Sequence, residues 1–274
     1  MTDASTLRIT LRSLLPILLL SSLPSSFSVP PPLPHLLHIG GLFPIHKRSG
    51  INYVEDSDGR RRMAAALLAL SHVNNKSDGF WDDLLPETML NISLMDSRRS
   101  ESAAVIGGFR LWEEAHASCI LGPASSGPSM RAQQVLSVNE INLPQVAYSA
   151  TSPQLSNDKQ FTRFARTPPS DAAQMGVLIN VLKYYEWSKV CTFAGSDSYS
   201  KSGIETFHGE CAANNVTLLH TVTFASGTTD MTVGVRSLLK EQCKIIVMWA
   251  QASDVVTGEY MISLLNLYFL FRFE

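Results

Sequence analysis

Hydroxyl side chains crowd two short loops, each following an apolar run. Gly122-Pro123-Ala124-Ser125-Ser126-Gly127 comes after Cys119 to Leu121, and Tyr148-Ser149-Ala150-Thr151-Ser152 closes the run Leu143 to Tyr148. Serine and threonine hydroxyls beside backbone N–H groups can hold a carboxylate, and a helix starting at the same place adds its partial positive charge. The first loop serves equally well as an ordinary helix N-cap, and both readings stand. Ser149 and Thr151, two residues apart, extend the cradle. Asp171 opens a later helical segment, where its carboxylate could receive an ammonium group or simply cap the helix. Tyr199, in Gly195-Ser196-Asp197-Ser198-Tyr199-Ser200, leaves another apolar strand and would face a ligand across a cleft.

Other chemistries lack their residues. The chain has no Gly-x-Gly-x-x-Gly fingerprint, Walker loop, His-Glu-x-x-His or Gly-x-Ser-x-Gly elbow. His35, His38 and His46 have no acidic or cysteine partner at metal spacing, so no metal and no cofactor is expected. No nucleophile, base and acid converge, and the chain is read as a binder, not an enzyme. A net charge of -2, with no basic run longer than Arg60-Arg61-Arg62, disfavours nucleic acid as a partner. With 45% hydrophobic and 17% charged residues over 274 positions, the chain can bury one or two substantial cores.

The elements that must hold these loops alternate. Leu36–Gly41 reads as a buried strand, with a loop through Pro44 and Gly50 to Asp58, then a helix over Arg62–Val73. Strands follow at Leu90–Met95, Cys119–Leu121 and Leu143–Tyr148, with helices at Ser100–Ala117, Ser129–Val138 and Asp171–Tyr185. A second series has strands at Lys189–Ala194, Thr217–Phe224 and Ile245–Trp249 and helices at Ser202–Ala213 and Thr232–Lys240. Repeated βα units imply an α/β fold with parallel sheets flanked by helices, and such sheets bind ligands at the carboxyl ends of their strands. The segment Thr151–Ser170 reads as a crossover, giving a first lobe over 33–185 and the start of a second over 186–260. Cys119, Cys191 and Cys243 lie in or beside apolar strands and read as buried thiols; a disulfide involving Cys211 stays open, as do all three complete pairings of four cysteines.

The ends carry different signals. Residues 1–28 read as a signal peptide, with Arg8 and Arg12 ahead of the apolar stretch Leu14–Leu20 and then a serine-rich end. Asn75, Asn91 and Asn215 each begin an Asn-x-Ser/Thr triplet and are candidate glycosylation sites. Residues 261–274 form an apolar tail whose run is too short to span a bilayer.

Several of these words occur together in one family. Gly40-Gly41-Leu42-Phe43-Pro44-Ile45-His46, the helix ending Val73-Asn74, Gly122-Pro123-Ala124-Ser125-Ser126, Tyr148 to Ser152, Pro169-Ser170-Asp171, Tyr185-Glu186-Trp187 and Ser202-Gly203-Ile204-Glu205-Thr206-Phe207 resemble, in order and spacing over about 37 to 250, the Venus flytrap ligand-binding domain of class C G-protein-coupled receptors. The likeness is greatest to metabotropic glutamate receptors. GABA-B receptors, natriuretic peptide receptors and periplasmic amino-acid-binding proteins share that fold. The resemblance implies a periplasmic-binding-protein type 1 bilobed architecture closing on a small-molecule amino acid. It implies Ser126, Ser149, Ala150 and Thr151 at the ligand's α-carboxylate and α-amino group, Asp171 on the amine, Tyr199 closing from the second lobe and Arg62 reaching a distal carboxylate. It further implies an extracellular, dimeric receptor pairing through the first lobe, with a G protein engaged only through a transmembrane domain outside this sequence. The alternatives are a non-binding dimerisation or decoy fragment of such a receptor, or a ligand-binding domain like those of natriuretic peptide or GABA-B receptors. Two departures stand out: Lys47 to Asp58 replaces the family's long cysteine-bearing insertion, and the resemblance fades after Trp249, so the second lobe is expected to be incomplete.

Overall fold

The computed structural model describes residues 32–263 and 268–270, so the expected leader over residues 1–28 and part of the apolar tail lie outside the described residues. β1 (Leu36–Phe43) leads to a hairpin of β2 (His46–Ser49) and β3 (Asn52–Glu55), then α1 (Ser57–Asn74), β4 (Met89–Asp96), α2 (Glu101–Glu113), β5 (Cys119–Leu121), α3 (Ser126–Leu136), β6 (Gln145–Ala147) and β7 (Phe164–Arg166). There follow α4 (Ala172–Tyr184), β8 (Lys189–Gly195), α5 (Ser198–Ala213), β9 (Thr217–Phe224), α6 (Thr232–Lys240), β10 (Ile245–Trp249), α7 (Ala252–Ser263) and β11 (Tyr268–Leu270). The strands form a five-stranded parallel sheet of order β4-β1-β5-β6-β7 and a four-stranded parallel sheet of order β11-β10-β8-β9, beside the small β2–β3 hairpin. This is the α/β fold of parallel sheets flanked by helices that the alternation of apolar runs implies.

Each sheet has its own core. Leu42 and Ile120 of the first sheet pack with Ala104 and Leu111 of α2 and Ala132 and Leu136 of α3. On the second sheet, one face buries Val190, Val247 and Trp249 against α4 and α5, through residues such as Met175, Leu182 and Phe207. Its other face buries Phe193, Ile246 and Met248 against Val235 and Leu238 of α6.

Four local features differ from the sequence expectation. The stretch from Lys47 to Asp58, expected as a loop, contains the β2–β3 hairpin, whose strands are mostly exposed and polar and therefore carry no core-facing pattern. Helix α1 starts well before Arg62, because the buried Asp56 side chain caps it, accepting from the Asp58 and Gly59 N–H groups at 3.2 and 3.3 Å. Within Thr151–Ser170, β7 adds a fifth strand to the first sheet, pairing Phe164 with Gln145 and Arg166 with Ala147. The chain then crosses at Thr167–Asp171, and α4, expected within 33–185, buries Met175, Leu178, Ile179 and Leu182 in the second sheet's core.

Cysteine chemistry differs too. Cys191 and Cys243, read as buried thiols, form a disulfide, while Cys119 and Cys211 are free. Parallel pairing of β8 with β10 sets Cys191 opposite Ile246, and Cys243 lies just before β10, which brings the two Cα atoms to 5.9 Å. In the tail, α7 runs to Ser263 and β11 pairs with β10 through Ile245–Tyr268, Ile246–Phe269 and Val247–Leu270.

Candidate functional site

The strand exits of both sheets converge on one cleft of about 210 Å3, lined by Asp58, Arg62, Arg99, Ala124, Ser125, Ser126, Ser149, Thr151, Tyr199, Gln251 and Ala252. From the first sheet, the loop after β5 reaches it by a tight turn at Gly122, whose φ is +100°; a Cβ there would collide with the Leu42 carbonyl. The turn delivers Ser125 and Ser126 at the start of α3, and the Ser125 side chain makes no cap hydrogen bond. Two cleft-lining hydroxyls, Ser149 and Thr151, come from the loop after β6.

That second loop is held from four directions. Its Ser152 N–H donates to Ser126 Oγ at 3.2 Å, and its Thr151 carbonyl accepts from the Asp171 N–H at 2.9 Å. Arg166 on β7 donates to the Ser152 carbonyl at 2.8 Å. The Ser152 hydroxyl donates to Ser202 Oγ of α5 at 2.8 Å, tying the first sheet's loop to a helix of the second. A parallel tie runs from Ser198 at the start of α5 to Glu101 Oε1 at the start of α2, at 2.9 Å, with Arg131 of α3 on the other carboxylate oxygen at 3.1 Å. Loops fixed this way present their hydroxyls with little reorganisation left for a ligand to impose.

Asp171 does not line the cleft; it lies behind it. The residue is 1% exposed, and its Oδ1 accepts from Gln174 Nε2 at 2.9 Å. Burial raises the Asp171 pKa above the usual carboxylate value, and the Thr151 and Tyr199 hydroxyls and the charge of Arg166 only partly oppose that rise. The Tyr199 hydroxyl thus faces Asp171 and Thr151, and burial together with the neighbouring carboxylate raises its own pKa. The ring is held over Trp249, with centroids 5.9 Å apart.

The cationic end of the cleft belongs to Arg62 and Arg99. Arg99 pairs with the buried Asp56, the residue that caps α1. Burial alone would raise the Asp56 pKa, but the hydrogen bond and charge of Arg99, the Gly59 N–H and the charge of Lys47 outweigh it and hold the carboxyl below its usual range.

Of the residues singled out in the sequence, Ser126, Ser149, Thr151, Tyr199 and Arg62 meet at this cleft, and Asp171 adjoins it through Thr151 and Tyr199. Ala150 is fully buried, packed with Met130, Ala147, Leu155 and Phe161, so only its backbone is near the site. Sequence reasoning passed over Arg99, Asp58 and Gln251. Arg99 follows β4 and Gln251 follows β10, so the rule that strand exits bind ligands would have found both had it been applied to every strand. Gln251 Nε2 donates to Asp197 Oδ1 at 3.2 Å, which joins two exits of the second sheet. Among the described residues no group of three or more His, Cys, Asp or Glu is placed to hold a metal ion.

Comparison with known proteins bears on this arrangement. Metabotropic glutamate receptor 4 from Rattus norvegicus and from Mus musculus is 27% identical over 248 residues, covering 74% of this chain and 26% of the receptor, and the Macaca fascicularis receptor matches to the same extent. The chain therefore spans about a quarter of the length of these relatives. A family model matches residues 61–261, a stretch that includes both groups of strand exits, and the chain belongs to that family: the receptor family ligand binding region.

Proposed function

We propose that this chain is the amino-acid-sensing ectodomain of a class C receptor, with two lobes that close on an acidic, glutamate-like amino acid. The observation that carries the reading is the meeting of Ser126, Ser149, Thr151, Tyr199 and Arg62 on one small polar cleft. Ser126, Ser149 and Thr151 hold the α-carboxylate. Asp171, a buried carboxylate with only neutral groups in hydrogen-bonding reach, supplies the charge for the α-ammonium. Arg62 meets the distal anionic group, and Tyr199 belongs to the lobe that closes. Binding favours the closed arrangement by its differential contacts, and the ties Ser198–Glu101 and Ser152–Ser202 bias the same equilibrium. In this reading the lobes meet at Thr167–Asp171 and not at 185/186, which the packing of α4 with the second sheet supports.

The reading extends to an extracellular location, supported by the Cys191–Cys243 disulfide and by the exposure of Asn75, Asn91 and Asn215. Dimerisation through the first lobe is favoured by Leu68, Ile106 and Phe109, exposed on α1 and α2. Coupling to a G protein belongs to a transmembrane domain in a longer receptor. No helix among the described residues is long and apolar enough to cross a membrane.

Calorimetric titration of the folded chain with acidic, neutral and basic amino acids tests the core of the proposal. Glutamate or a close analogue binds at millimolar concentration or tighter, and Ser149→Ala weakens it about tenfold, the worth of one hydrogen bond to a charged group. A cooperatively folded protein that binds no amino acid overturns the sensing function and leaves the dimerisation or decoy fragment.

A further inference from the structure

Among the described residues strand β4 forms an edge of the first sheet, and an open parallel edge offers unpaired N–H and C=O groups to another chain. Alternate residues of β4 turn these groups toward β1 and away from it. Met89 faces inward, its N–H donating to the His35 carbonyl at 2.8 Å, so Leu90 and Ile92 face outward. Side chains blunt this edge at Leu90 and at the Ile92 N–H. The Asn74 carboxamide takes both groups of Leu90, accepting from its N–H and donating to its carbonyl, each at 2.8 Å. At the end of the strand Asp96 accepts from the Ile45 N–H at 2.9 Å and from His46 Nδ1 at 2.7 Å, which fastens the start of the hairpin to β4. In the middle, the Ile92 N–H donates to Asn91 Oδ1 at 2.9 Å, and Asn91 is exposed.

Asn91 also begins the triplet Asn91-Ile92-Ser93. We propose that Asn91 carries an N-linked glycan whose role is to shield the β4 edge from pairing with other chains. The chemistry suits the geometry. Asn91 Nδ2 attacks the anomeric carbon of a polyprenyl-diphosphate-linked oligosaccharide, the amide loses a proton to base, and the polyprenyl diphosphate leaves. Only the nitrogen is used, so Oδ1 remains free to accept from the Ile92 N–H, and that bond holds the sugar at the edge. The Ser93 hydroxyl, which the triplet requires, is bonded to His38 Nε2 on β1 at 2.8 Å in the folded sheet. Transfer therefore precedes the docking of β4 on β1. The other two triplets differ in place: Asn75 caps the end of α1, and Asn215, at a φ of 58°, turns the chain from α5 into β9. Neither lies in the middle of a sheet edge.

This inference rests on the extracellular reading, and the test separates the two. The full chain is produced in eukaryotic secretory cells, and occupancy at the three asparagines is read by glycopeptide mass spectrometry. Self-association is then read by sedimentation velocity for the secreted protein, for N91D and N75D, and for folded protein treated with peptide-N-glycosidase. N91D keeps an oxygen for the Ile92 N–H but cannot carry the sugar. The expected result is occupancy at Asn91, a severalfold rise in sedimenting oligomer for N91D and for the enzyme-treated protein, and no rise for N75D. Asn91 bare while Asn75 or Asn215 is occupied overturns this proposal alone. All three bare overturns it together with the extracellular reading. An occupied Asn91 whose removal leaves sedimentation unchanged overturns the shielding role, and the enzyme-treated arm decides this even if N91D does not fold.

Discussion

The two sheets repeat one strand order and are tied by different means. Counting from its own first strand, each runs second, first, third, fourth: β4-β1-β5-β6 in one and β9-β8-β10-β11 in the other. The second sheet is cross-linked by Cys191–Cys243 between its two central strands. The first has only the free Cys119 within its strands and fixes its binding end by polar contacts instead, above all Asp56 with Arg99 and the hydroxyl ties around Ser152. Covalent and electrostatic ties respond to different agents. Reduction should loosen one sheet and acid the other, although the topology is shared.

The largest effect should come from the covalent tie. Replacing both Cys191 and Cys243 by alanine removes a link closing a 52-residue loop, which in the chain-entropy treatment is worth about 4 kcal/mol. Hydrogen exchange followed by mass spectrometry should show protection lost in β8 and β10 with β1 and β5 little changed. Equal loss in both sheets would break the comparison. The electrostatic tie is smaller. Asp56→Asn keeps a cap for α1 but removes the partner of Arg99, at about 1 to 2 kcal/mol, and Asp56→Ala removes the cap as well, at about 2 to 3 kcal/mol. Urea denaturation should order the two variants that way. Identical losses would mean that the carboxylate acts through its charge alone.

What could be read from the chain follows the reach of each interaction. Cys119–Leu121, Thr217–Phe224, Thr232–Lys240 and Ile245–Trp249 lie where the apolar runs place them, because burial of a strand or helix face is written in local periodicity. The hairpin β2–β3 was illegible since it buries little, and β7 since Phe164-Ala165-Arg166 ends in a charged residue and forms no apolar run. The disulfide depends on which strands become neighbours, a non-local fact no spacing encodes. In the site, Ser126, Ser149, Thr151 and Tyr199 were legible as hydroxyls at strand exits. Arg99 was legible only as a strand-exit residue; what fixes it is Asp56, distant in the chain, which reads there as one more acidic loop position. Ties of this kind create the cleft, and they are the part of a binding site that sequence hides best.

Two aspartates near the cleft sharpen the contrast through opposite responses to pH. Asp56 has its pKa lowered in the fold, so its stabilisation is complete above the ordinary carboxylate value and is lost as pH falls through the lowered one. Asp171 has its pKa raised by burial above an ordinary value of 3.8. The folded state then holds a proton that the unfolded chain has released, so the stability Asp171 contributes is greatest below 3.8 and is lost as pH rises through the raised value. An ammonium group bound beside Asp171 would reverse that rise by favouring the ionised form. Amino-acid binding in the window between the ordinary and raised values should therefore release a proton, and affinity should climb with pH across that window and level off above it. Titration calorimetry in two buffers of different ionisation enthalpy measures the release directly. Equal heats in both buffers throughout the window would remove Asp171 from the amine site while leaving the hydroxyl cradle in place. The effect is the smallest of those considered, less than one proton per ligand, because the Thr151 and Tyr199 hydroxyls and Arg166 already offset part of the cost of burying the charge.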